Sequence, residues 1–482
     1  MMRRLFSDTL IYGGAAILSR GLSLIVLPIY TRILSPADYG VLDMIFVIGS
    51  FATLLVALEI NQALARFYAD AESAEAKRRM ASTTLWFTLA VFLVGFATTF
   101  AGAEALARWL LGSAELAGML RIGLAGIAAN GLFYLTQTQM RYGLMSTAFA
   151  VVSLFYSLAM LGLGVALGYG LDMGLAGVLW GQFAAAAAAA ALALAVLRRS
   201  YGLTFDPRLL RTMLAFSLPL VPSALATFFT FYSNRLILND LEGLDAVGLF
   251  GVASRIAGAV GLLIIGLQSS LTPLIYAHYK EETTPAHLAR ITEWFIAAAL
   301  LCCLGLGLYA WEILALFAEA RYAGAAPLVL FLAPATLLGQ MYIFFPGIAI
   351  AKRTKLQLYI FVVSAVATLV LNWLLIGWVG LTGAAIATLA ASLLFLVLWV
   401  ATSQRLYRLP MRWGRVAVAT ALFGAAAAAG VWIQGSGGAF ATLFVAKGAI
   451  ILLLAAGLVA CGLIQTTDLT NLGRRLARRA AR

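Results

Sequence analysis

Two arginines set inside apolar stretches, Arg20 and Arg255, carry the sharpest chemical signal in the sequence. A guanidinium is a planar fork of N–H donors that matches phosphate oxygens two at a time. Two of them facing one cavity would hold a phosphorylated anion. An arginine at the centre of a bilayer costs about 2.5–3.5 kcal/mol, so it needs a cavity or a carboxylate partner rather than lipid. Arg20 lies about 11 residues into its stretch, roughly 16 Å along a helix, and Arg255 lies about nine residues into its own. Carboxylates that could pair with them are Asp43, Glu59 and Glu293. Glu59, within Leu58-Glu59-Ile60-Asn61-Gln62, is also a candidate proton-coupling acid. Arg32 and Arg235 close their stretches on what would be the outer side. They either line an outer cleft that holds substrate or cap helix ends and snorkel to the interface. Lys447 reads as a snorkelling residue.

Enzyme chemistry finds no such foothold. No nucleophile stands with a base, and no long loop carries paired carboxylates. His278 and His287 are the only histidines, and Cys302, Cys303 and Cys461 sit in apolar runs as small hydrophobes. The expectation is a protein with no catalytic residues, no metal and no cofactor.

The elements that must carry these arginines are membrane helices. Of 482 residues, 63% are hydrophobic and 11% charged, with a mean hydropathy of +0.97. Soluble domains are about 45–50% apolar and about 25% charged. Fourteen apolar segments can be read near 9–33, 41–64, 81–102, 118–140, 145–168, 174–197, 213–236, 246–276, 290–312, 325–351, 356–377, 381–402, 413–433 and 443–465. The first is too long for a cleavable signal peptide and carries Arg20 in its middle. No hydrophilic stretch is long enough for a soluble domain, and no GxxxxGK[ST] motif appears, so a fused ATP-hydrolysing head is excluded.

The net charge of +13 and pI near 9.9 raise the question of nucleic acid. Placement answers it. Of 33 Lys and Arg, 25 fall in one set of alternate connections and tails, the pattern of cytoplasmic loops. An even number of spans with both termini cytoplasmic follows, and the basic tail after Thr466 lies on the anionic inner leaflet. Membrane lipids, not nucleic acid, are the partners.

Three landmarks recur at nearly one offset. Arg32 and Arg235 differ by 203, Gly40 and Gly248 by 208, and Gly174 and Gly380 by 206. They predict two six-helix bundles, 1–200 and 201–410, related by a pseudo-twofold along the membrane normal. Helices 13 and 14 are appended over 411–466, and a basic tail covers 467–482. The fold class is an all-α integral membrane protein. Pro28, Pro219, Pro222, Pro273, Pro334 and Pro346 are positioned to break or kink helices.

The stretch Pro28-Ile29-Tyr30-Thr31-Arg32-Ile33-Leu34-Ser35-Pro36-Ala37-Asp38-Tyr39-Gly40 resembles the first hairpin of bacterial oligosaccharide flippases. These form the polysaccharide-transporter branch of the multidrug/oligosaccharidyl-lipid/polysaccharide superfamily. Gln62-Ala63-Leu64-Ala65-Arg66-Phe67 and Val247-Gly248-Leu249-Phe250-Gly251-Val252-Ala253 add modest matches. Ser19-Arg20 looks like the serine–arginine pair in the first helix of related lipid-linked-precursor flippases, where the arginine faces the cavity. The resemblance implies translocation of a polyprenyl-pyrophosphate-linked oligosaccharide from the cytoplasmic to the outer leaflet of the inner membrane. It further implies alternating access around a cationic central cavity, for cell-surface polysaccharide or lipopolysaccharide synthesis. Other membrane proteins of polysaccharide assembly are the protein partners it would add. A multidrug exporter of the same superfamily is the alternative, although cationic drugs would favour acidic cavity residues. A membrane glycan polymerase or ligase would need a sizeable outer loop, and the longest here is about 103–117.

Overall fold

The computed structural model describes residues 25–463. Arg20, its neighbour Ser19 and the basic tail lie outside the described residues. Within them the chain is helical, with 13 helices long and apolar enough to cross a membrane, from Pro36–Leu54 to Phe440–Ala460. They answer one for one to the second through fourteenth sequence segments, and residues 25–33 form the helical end of the first. Lipid offers the backbone no hydrogen-bond partners, so each span must close its own ladder, which is why long helices dominate.

The second segment departs from expectation. Its helix Pro36–Ala57 stops at Leu58 and Glu59, both in the left-handed region, and a separate helix Ile60–Asp70 follows. Residues 60–70 alternate apolar Ile60, Ala63 and Leu64, all buried, with polar positions. That amphipathic pattern suits an interface rather than a span. Ser35 opens the preceding helix with a capping box, its hydroxyl accepting from the Asp38 N–H while the Asp38 carboxylate accepts from the Ser35 N–H. The expected loop at 103–117 holds a short helix, Ala103–Leu111, with Ala103, Ala107 and Leu111 buried along one side.

The proline expectations divide. Pro219 sits in the 3-10 turn Leu218–Leu220 that separates helix Pro207–Ser217 from helix Val221–Glu242. Pro346 precedes the one-turn helix Gly347–Ile350. Pro334 instead lies within helix Ala326–Leu338.

The residues group into two compact units. The first runs to Val252 and takes in Phe317–Tyr322 and Ala365–Ala384. The second holds Ala253–Leu316, Ala323–Ser364 and the chain from Ala385 on. In the second, span Thr284–Leu308 packs with the two last spans through Ala297, Leu304, Leu308, Ala419, Ile450, Leu454 and Leu458. In the first, the glycine landmarks do matching local work. Gly174 and Gly380 both take a positive φ where a helix turns into the next. Three residues on, a Cβ at Gly177 would collide with the backbone of Leu167, and one at Gly383 with that of Leu375.

Gly40 and Gly248 form a reciprocal crossing. A Cβ on Gly40 would run into the carbonyl of Leu244, and one on Gly248 into the carbonyl of Pro36. Under the offset of 208, Pro36 corresponds to Leu244 and Gly40 to Gly248, so each contact is the image of the other. Close approach of helix backbones through small residues is how packing is gained in lipid. Gly248→Ala should therefore cost about 1–3 kcal/mol through overpacking. Gly258→Ala, where a Cβ meets open space, should leave stability within about 1 kcal/mol of the parent. Thermal melting in detergent checks both, and equal melting points would show that the crossing can relax.

Candidate functional site

Among the described residues, the buried charged side chains are Asp43, Glu293 and Lys447. Each is part of an ion pair whose partner lies far along the chain. Isolated, any of them would carry a desolvation cost of several kcal/mol, so partner geometry decides whether the fold tolerates them.

Asp43 lies about 10 Å into helix Pro36–Ala57, and Arg235 about 10 Å before the end of helix Val221–Glu242. The Arg235 Nε donates to Asp43 Oδ2 at 2.6 Å. Their side chains are 14% and 7% exposed, which removes most solvent screening. The guanidinium also lies 5.3 Å from the Phe250 ring centre and 5.9 Å from that of Tyr232, both on its cationic face. The Asn234 amide oxygen accepts from the Arg235 backbone N–H at 2.8 Å. Gly251 leaves room for the carboxylate, since a Cβ there would sit 3.2 Å from Asp43 Oδ2. Helices Pro36–Ala57, Val221–Glu242 and Leu244–Gly258 thus meet around one neutralised pair.

This geometry corrects the reading of Arg235. It neither caps its helix nor snorkels; it is half-buried and bonded to Asp43. Arg32, its counterpart at the offset of 203, is exposed, so the two do not share one role. Beside Arg32, the residues of the 317–322 segment tie down the end of the first helical stretch. Arg321 donates to the carbonyls of Thr31 and Arg32 at 3.2 and 3.3 Å, and the Tyr322 hydroxyl donates to that of Leu34 at 2.8 Å. The Thr31 hydroxyl lies 3.1 Å from the Phe317 carbonyl and 3.0 Å from that of Leu27 within its own helix. Tyr39 is fully buried and meets the Tyr322 ring edge-on at 6.0 Å.

The second and third pairs hold the last two spans to Thr284–Leu308 and its extension. Glu293 accepts from Arg412 through the backbone N–H at 2.9 Å and through Nε at 2.8 Å, and also pairs with the Arg412 Nη2. These hydrogen bonds push the Arg412 pKa further up, so its charge is permanent. Lys447 is 1% exposed and donates to Glu312 at 2.6 Å, with its Nζ 5.9 Å from the Tyr309 ring centre. The snorkelling expected of Lys447 does not occur. Arg412, Glu312 and Arg321 were missed by sequence reasoning. A lysine deep in an apolar run with no local acid does call for a distant carboxylate, and that signal was available for Glu312.

Of the remaining expected residues, Arg255 is half-buried in the last turn of helix Leu244–Gly258. Glu59 is half-buried at the left-handed turn, and Arg20 lies outside the described residues. Two amides bridge helices, Gln137 to Ser153 at 2.8 Å and Asn372 to Ser233 at 3.3 Å.

Long apolar helices stapled by neutralised charges define a multi-pass membrane protein. A family model described as polysaccharide biosynthesis protein matches residues 5–279. The chain belongs to that family. It is 25% identical over 267 residues to the succinoglycan biosynthesis transport protein ExoT of Rhizobium meliloti (strain 1021). That match takes in 52% of this chain, and the chain spans about half the length, 50%, of that curated relative. In fold it resembles the lipid II flippase MurJ in an inward closed conformation, with a TM-score of 0.73, 14% identity, 95% of this chain covered and 98% of that one. It also resembles an inward-facing multidrug resistance transporter of the MATE family, with a TM-score of 0.65, 18% identity, and 80% and 94% covered.

Removing one member of a buried pair leaves the other charge stranded. Asp43→Ala should destabilise the protein by about 3–5 kcal/mol, and the Asp43→Ala/Arg235→Ala double variant should recover much of that. Detergent melting of the two singles and the double measures the coupling. Additive losses would show that the pair is not a unit. Lys447→Met should be tolerated only together with Glu312→Gln, by the same measurement.

Proposed function

We propose that this protein moves a polyprenyl-pyrophosphate-linked oligosaccharide from the cytoplasmic to the outer leaflet of the inner membrane by alternating access. The observation that carries the reading is the neutralisation of the buried carboxylates. Asp43 and Glu293 are both bonded to arginines, and Glu312 to a lysine. No buried carboxylate among the described residues stands ready for a cationic drug. A substrate whose charge is a pyrophosphate asks for cations instead.

The finer architecture belongs to the same proposal. Two six-helix lobes, near 1–200 and 201–410, rock about a pseudo-twofold along the membrane normal, with the appended pair 411–466 carried by the second. The reciprocal contact of Gly40 with Leu244 and Gly248 with Pro36 supports a twofold relation, because each half contributes the same residue to its image. Arg20 and Arg255 face the cavity between lobes and hold the pyrophosphate through guanidinium forks. The glycan crosses in the cavity while the polyprenyl chain stays in lipid, so neither meets its wrong solvent. Both termini are cytoplasmic, as the placement of basic residues supports. Arg32 borders the outer end. Arg235, bound to Asp43, serves the closed state of that end more than the substrate. Other polysaccharide-assembly membrane proteins receive the product.

Reconstitution in liposomes tests this directly. Purified protein should flip lipid-linked oligosaccharide, and Arg20→Ala or Arg255→Ala should lower the rate roughly 10-fold or more, the equivalent of one charge-assisted hydrogen bond. Arg20→Lys should restore part of it, since lysine keeps the charge but not the fork. Undiminished flipping by Arg20→Ala removes that residue from the cavity. Transport of small organic cations with no movement of any lipid-linked glycan would transfer the protein to drug export.

A further inference from the structure

The connection between the ninth and tenth spans does more than join them. Its residues Phe317–Tyr322 lie between helix Ala310–Phe317 and helix Ala326–Leu338, and they are bonded to the end of the first helical stretch at three carbonyls. Arg321 takes those of Thr31 and Arg32, and Tyr322 takes that of Leu34. These are the carbonyls a helix leaves unpaired at its C-terminal end, and here another part of the chain satisfies them. The Phe317 carbonyl in turn lies 3.1 Å from the Thr31 hydroxyl. Tyr322 is fully buried, with its ring against Tyr39 just before the Gly40 crossing. Glu319 lies 3.0 Å from Arg321 and orients its guanidinium.

We infer that Phe317–Tyr322 is a strap that holds the end of the first span while the outer side is closed and must release it when that side opens. The inference rests on the transport reading above. The strap groups with the first compact unit, as its acceptors do, whereas the chain on both sides of it, up to Leu316 and from Ala323, groups with the second. Movement of spans nine and ten pulls on the strap from both ends and separates these groups. The Arg321 bonds lie at an exposed side chain, where water can replace them as they break. That suits a contact made and broken in every cycle. The Asp43–Arg235 pair lies a further turn or two along helix Pro36–Ala57. Arg321 and Tyr322 are thus positioning residues for the first span and touch no substrate.

Two independent measurements test the strap, both after Cys302, Cys303 and Cys461 are replaced by alanine. In the first, Ser50→Cys, half-buried two turns below Asp43, reports outer opening through its rate of labelling by a membrane-impermeant maleimide. Adding Tyr322→Phe, which keeps the ring and removes the donated hydrogen bond, should raise that rate about 2- to 10-fold, the shift one hydrogen bond can make. Arg321→Ala should raise it as well, and Arg321→Lys should fall between that variant and the parent. An unchanged rate in both Tyr322→Phe and Arg321→Ala overturns the strap. In the second, Thr31→Cys with Phe317→Cys is joined by a short bismaleimide, and flipping of lipid-linked oligosaccharide is compared before and after joining. The strap requires at least a 10-fold fall, and flipping at the unjoined rate overturns it. If the unjoined protein moves no such lipid, the transport reading fails, and the labelling measurement still decides the strap.

Discussion

Lipid cannot solvate a charge, and much of the described structure follows from that constraint. A chain of 33 cations and 20 anions can send most of them to water, but Asp43, Glu293 and Lys447 are inside. Each then dictates which helices may be neighbours. Asp43 selects the helix that carries Arg235, Glu293 selects the loop that carries Arg412, and Lys447 selects the segment that carries Glu312. Apolar packing between helices gains little in lipid, because the tails are as apolar as the side chains they replace. Three pairs and a few glycine contacts therefore specify arrangements that leucine and alanine alone would leave open.

The glycines act by a complementary route. Where ion pairs choose partners, Gly40, Gly248, Gly177 and Gly383 set distance, since each touches a backbone that a methyl group would displace. Short separation lets dispersion act over long helix faces. It also places the Asp43–Arg235 pair one to two turns from a tight crossing, so charge pairing and close approach act on the same helices of the first unit.

The spans were legible because hydropathy and helix length obey the thickness of a bilayer, which every segment meets separately. The glycine landmarks were legible because a backbone contact needs one residue type at one position. Partner choice was not. Asp43 and Arg235 are 192 residues apart, and nothing local to either names the other. Arg235 stood at the end of an apolar segment, where interface snorkelling and burial look alike in sequence. Lys447 misled for the same reason. A lysine eight residues into a span reaches water from the edge of a bundle but not from beneath Tyr309 and Glu312. The break at Leu58 and Glu59 was hidden too, because left-handed backbone at a leucine and a glutamate has no compositional mark. The candidate cavity arginines were identified by depth alone, a property of one helix, whereas their neighbours belong to the whole fold.

The two pairs that fasten the last spans also set an order of assembly. Glu293 and Glu312 leave the ribosome 119 and 135 residues before Arg412 and Lys447. At roughly 5–20 residues per second, each acid waits about 6–27 s for its partner. During that interval the ninth span and the short helix after it, Ala310–Phe317, each hold a carboxylate whose cationic partner has not yet been made. The final hairpin supplies both partners, so the closing of these two pairs waits for residues made long after the acids.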